Sequence, residues 1–92
     1  MPYHTDVKTS VAKAPKTLGN QLGRWAIHLD FSVLRVAKAT GATRQTIYNW
    51  FAGGQVTQAY RDRVKALLEI MRSSQTAEQA WRTACKRFRI HA

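Results

Sequence analysis

Two hydroxyl caps and two glycine stops confine the middle of this chain to a pair of short helices. Ser32 offers a side-chain acceptor to the orphan first-turn amides of a helix over residues 33–40, and Gly41 suits the positive φ that ends one. Thr43 can cap a second helix over residues 44–51, which Gly53-Gly54 then stops. Apolar and small residues fall where such a pair needs them. Val33, Val36, Ala37 and Thr40 share the inner face of the first helix, and Ile47 and Trp50 lie three apart on the buried side of the second. Ala37 is small where the two helices cross, while Val36, Ala42, Ile47 and Trp50 close the interior between them.

Helical periodicity continues on both sides. Leu18, Leu22, Trp25, Ala26 and Leu29 mark a helix whose Gly19 and Gly23 weaken it by about 1 kcal/mol each relative to Ala, so it depends on packing. Trp25 and Trp50 sit on apolar stripes and are expected in the core. Tyr60, Val64, Leu67, Leu68 and Met71 define a longer helix from Thr57 to about Arg72, and Thr76 with Gln79 satisfies the capping-box rule for a further one. That last helix carries the stripe Ala77, Ala80, Trp81, Ala84, Cys85 and Phe88, with Glu78 placed four residues before Arg82 as an ion pair. No stretch alternates long enough for a strand. The reading is an all-α, compact four- to five-helix domain over residues 17–92. Residues 1–16, with Lys8, Lys13, Lys16, both prolines and little apolar periodicity, read as a flexible, disordered basic arm.

Charge and cysteine usage narrow the function classes. Fifteen Lys and Arg against five Asp and Glu give the 92 residues a formal charge of +10, which favours a polyanionic partner, nucleic acid first. Cys85 is the single cysteine, so the chain supplies no internal disulfide and no Cys-rich zinc site. His4, His28 and His91 lack ligand spacing and read as surface residues, so no metal and no cofactor is expected. With no secretory signal pattern and no apolar run of membrane-spanning length, a cytoplasmic location is expected, without membrane association. Five scattered acidic residues offer no base and orienting carboxylate for a Ser, Cys or His nucleophile, which leaves an enzyme the least supported class.

The run VAKATGATRQTIYNWFAGG, with Trp50-Phe51-x-Gly53 closing it, resembles the helix-turn-helix of lambda-repressor-like (Cro/C1-type) DNA-binding domains. The resemblance covers Leu18 to about Met71. It implies that the second helix of the motif enters the major groove of double-stranded DNA while the first crosses the phosphate backbone. It also implies a sequence-specific transcription regulator, a phage-like or mobile-element repressor that binds as a homodimer and needs no small-molecule ligand.

The side chains that face away from Ile47 and Trp50 are then the DNA readers: Arg44, Gln45, Tyr48 and Asn49. Gln and Asn can pair in bidentate fashion with adenine, and Arg with guanine. Arg44 at the helix start serves a base or a phosphate equally well, and Tyr48 a thymine methyl or a phosphate. Phosphate contacts are expected from Ser32, Lys38, Thr43, Gly54 and Gln55, where bare amides, hydroxyls and one ammonium flank the helix. The competing readings are capping for Ser32 and Thr43, which is compatible with a DNA contact, solvated surface for Lys38 and Gln55, and a plain loop residue for Gly54.

Two rival readings stay open. The scaffold could bind a partner protein, as an antitoxin or host-factor modulator does, or coat nucleic acid without sequence preference. The absence of Asp and Glu from Phe31 to Arg61 favours DNA. The C-terminal amphipathic helix either packs into the domain, forms a dimer contact through Trp81 or Phe88, or docks on another protein.

Overall fold

The computed structural model describes residues 3–91 and folds them into six helices with no strand: α1 (Thr5–Lys13), α2 (Leu18–Leu29), α3 (Val33–Thr40), α4 (Arg44–Phe51), α5 (Gln58–Arg72) and α6 (Ala77–Phe88). Five of the six begin on a side-chain cap. The acceptors of His4, Thr17, Ser32, Thr43 and Thr76 take the amides of Asp6, Asn20, Arg35, Thr46 and Gln79, which satisfies one orphan donor in each case. Gln79 reaches back to the amide of Gln75, one residue outside the cap, at 2.9 Å. Gly41 ends α3 with φ +81°, and its amide donates to the Ala37 carbonyl. Asp30 and Arg89 adopt the same left-handed conformation after α2 and α6 without being glycine.

Packing gathers these helices around α2, which lies against α1, α4 and α5, while α6 closes the far side on α3 and α5. Leu22, Ala26, Phe31, Val36, Ile47, Phe51, Val64, Leu67 and Met71 are buried in one core. Contact between α2 and α4 requires the two glycines of α2. A methyl group on Gly19 would lie 2.6 Å from the Trp50 Cβ and 2.7 Å from the Trp50 carbonyl oxygen, and one on Gly23 would lie 2.7 Å from the Phe51 ring. The residues that weaken α2 as an isolated helix are therefore the ones that let α4 approach it.

The N-terminal segment departs from the sequence reading. Residues 5–13, expected within a disordered arm, form α1, and Val11 and Tyr3 are buried at 3% and 4% exposure. Three polar ties hold the segment down. Tyr3 Oη donates to the Phe31 carbonyl at 2.6 Å, Asn20 Nδ2 donates to the Val11 carbonyl at 2.9 Å, and Arg24 Nη2 donates to the Ala12 carbonyl at 3.0 Å. Too few apolar residues repeat here to signal a helix, because its anchors are single side chains meeting partners far along the chain.

Smaller departures have similar causes. Trp50 is buried but Trp25 is only half-buried, its ring edge-on to His28 at 5.4 Å. Ala39, rather than Ala37, is the fully buried alanine of α3. Trp81 is buried against Phe31, and is therefore not an exposed contact for a second copy. Glu78 pairs with Arg35 of α3 at 3.1 Å instead of with Arg82, and the Arg35 guanidinium also lies over the Trp81 ring. These contacts join α6 to α3. No helix among the described residues is long and apolar enough to cross a membrane.

Candidate functional site

Seven of the eight residues of α4 divide between core and surface, with Thr46 half-buried between them. Ile47, Trp50 and Phe51 have 0%, 2% and 1% of their surface exposed, whereas Arg44, Gln45, Tyr48 and Asn49 are exposed. Residues four apart share a helix face, and Gln45 Nε2 donates to Asn49 Oδ1 at 3.3 Å across one turn. Two primary amides thus stand side by side, with Arg44 next to them at the start of the helix. At the N-terminus the Thr43 hydroxyl accepts from the Thr46 amide and also donates to the Thr46 hydroxyl.

Tyr48 is placed differently from its three neighbours. Its ring meets Phe51 edge-on at 6.5 Å, and it borders a groove of about 340 Å³ shared with Asp6, Val7, Ser10, Val11 and Ala52. The first helix thus flanks the C-terminal half of α4 and leaves Tyr48 39% exposed. Arg44, Gln45 and Asn49 form the open part of the face.

The residues expected to touch phosphate fall on α3 and its cap, at the start of α4 and in the turn that follows it. Ser32 is half-buried and its Oγ accepts from the Arg35 amide at 3.2 Å, while Lys38 is exposed on α3. Thr43 is exposed at the start of α4. After α4 the chain turns at Gly53, with φ +99°, and the Gly54 amide donates to the Asn49 carbonyl at 2.8 Å. A Cβ on Gly54 would lie 2.6 Å from that carbonyl oxygen, so the turn requires glycine here. This bond occupies the Gly54 amide, which removes it as a direct phosphate donor. Gln55 is exposed beyond it.

Residues that pattern reading missed hold the face in position. Asn20, with no exposed surface, donates from Nδ2 to the Val11 and Phe51 carbonyls at 2.9 and 2.8 Å, and its Oδ1 accepts from Arg24 Nε at 2.7 Å. One amide thereby joins α1, α2 and the end of α4. Asn20 falls on the flank of α2 opposite the stripe of Leu18, Leu22, Trp25 and Leu29, so the periodicity carried no signal for its burial. Pro15 packs against Gly53, 3.0 Å from where a Cβ would stand. Among the described residues no group of three or more His, Cys, Asp or Glu side chains could hold a metal ion. Comparison with known proteins returned nothing: no family model, no curated protein and no solved structure matches the chain.

Proposed function

We propose that this protein is a transcription regulator that binds duplex DNA through a helix-turn-helix of lambda-repressor-like type formed by α3 and α4. In this reading α4 enters the major groove and α3 crosses the phosphate backbone. The observation that carries it is the division of α4, whose apolar residues are buried while Arg44, Gln45 and Asn49 are exposed. An eight-residue helix is about 12 Å long, comparable to the groove that would receive it. The chemistry also fits. Amides pair with adenine and a guanidinium with guanine, and no carboxylate lies between Phe31 and Arg61 to repel phosphate. Ser32, Lys38, Thr43 and Gln55 then set the register on the backbone, and a homodimer occluding an operator is the simplest mode of repression.

Selection of bound duplexes from a random pool tests the reading. Enrichment of a two-fold symmetric site with half-sites about 34 Å apart supports a dimeric sequence reader. Gln45→Ala and Asn49→Ala should each weaken the enriched site by about 1 to 3 kcal/mol and relax preference at one base pair. Lys38→Ala should weaken all duplexes alike. Equal losses for these variants on every sequence would reject base reading by α4.

A further inference from the structure

The helix that pattern reading takes for a loose arm lies beside the candidate DNA face, and its junction with α2 carries two exposed lysines, Lys13 and Lys16. Two of three contacts bring this junction to the C-terminal end of α4, through Phe51 and Gly53, and the third fastens it to α2. Asn20 bonds both the Val11 and Phe51 carbonyls, Arg24 holds the Ala12 carbonyl, and Pro15 packs on Gly53. Lys16 therefore follows directly on the residue that touches the Gly53–Gly54–Gln55 turn. Lys13 sits in the last turn of a helix pinned by its own Val11.

A helix seated in the major groove has one phosphate strand at each end. Thr43 lies at the N-terminal end of α4, and of the two residues expected to serve the other end, Gly54 and Gln55, the amide of Gly54 is taken up by the Asn49 carbonyl. We propose that the α1–α2 junction forms, with the Gly53–Gln55 turn, a second phosphate-binding edge of the DNA face, on which Lys13 and Lys16 each neutralise a backbone phosphate of the strand beyond the C-terminus of α4. The inference rests on the duplex-DNA reading above and adds a fixed contact edge to it. A mobile basic arm would have to be ordered on binding, at a conformational cost in each residue. Here the ties to Asn20, Arg24 and Gly53 meet that cost during folding, so the two ammonium groups meet the strand from a set position.

The test compares two charge-matched double variants of the full chain on one selected duplex: Lys13→Ala with Lys16→Ala, and Arg82→Ala with Lys86→Ala on α6. Binding is titrated at several salt concentrations. Each lost phosphate contact lowers the slope of log affinity against log salt by about 0.9. The junction pair should flatten the slope by about two units and weaken binding roughly tenfold or more at low salt, with base preference intact. The α6 pair should leave the slope nearly unchanged. All four side chains are exposed, so thermal melting of both variants should match the parent chain. Equal effects of the two pairs, or no change for the junction pair on a duplex the parent binds, would overturn the proposal while leaving the α4 reading intact. Failure of the parent chain to bind any duplex would overturn both.

Discussion

Gly19→Ala sets two effects of opposite sign against each other, and the structure decides which wins. Viewed as an isolated helix, α2 should gain about 1 kcal/mol from replacing an interior glycine with alanine. In the folded protein the new methyl would lie 2.6 Å from the Trp50 Cβ, 2.7 Å from the Trp50 carbonyl oxygen and 2.9 Å from its Cα. Ordinary contact between carbon atoms is about 3.5 to 4.0 Å, so α4 would have to retreat by about 1 Å. Two of the three struck atoms are backbone, which no rotamer change can move aside. Overpacking of this kind costs about 1 to 3 kcal/mol, and the upper end applies where a helix must shift as a body. Net destabilisation of about 2 kcal/mol follows, equivalent to a fall of roughly 8 to 16 °C in melting midpoint for a chain this size. Circular dichroism melts, with urea unfolding to check that the slope is unchanged, would measure it. A variant that melts at or above the parent temperature would show that the helices do not meet at Gly19 as described.

Two further perturbations probe how the N-terminal helix is attached. Asn20→Leu keeps the number and branching of side-chain heavy atoms but removes the donors to the Val11 and Phe51 carbonyls and the acceptor of Arg24; it should cost about 2 to 4 kcal/mol by urea unfolding and speed amide exchange in α1, and a loss under about 1 kcal/mol would argue against the tie. Burial pushes the Tyr3 hydroxyl well above the ordinary tyrosine pKa, with smaller contributions from Tyr48 and Asp30. Its folded-state value exceeds the unfolded one, so the stabilisation is complete below about pH 10 and declines as pH rises beyond it. Tyr3→Phe should lose about 1 kcal/mol at neutral pH and show a shallower decline above about pH 10, and parallel curves for the two chains would refute that role for Tyr3.

The outline of α2 to α6 was legible because its signals are local. A cap and the amide it serves lie three residues apart, as in Ser32 with Arg35 or Thr43 with Thr46, and apolar spacing repeats within a few turns. The exposed flank of α4 followed from the same periodicity, since burying Ile47 and Trp50 turns Arg44, Gln45 and Asn49 outward. Those features belong to the sequence by itself. Only the tertiary structure decided that α1 is a helix against the body of the protein, that Gly19 and Gly23 admit α4, that Asn20 joins three elements, and that Glu78 faces Arg35. The reason is distance along the chain. Tyr3 meets Phe31, Asn20 meets Phe51 and Arg35 meets Glu78 across 28, 31 and 43 residues, and no periodicity within a helix records a partner that arrives only when the chain closes on itself.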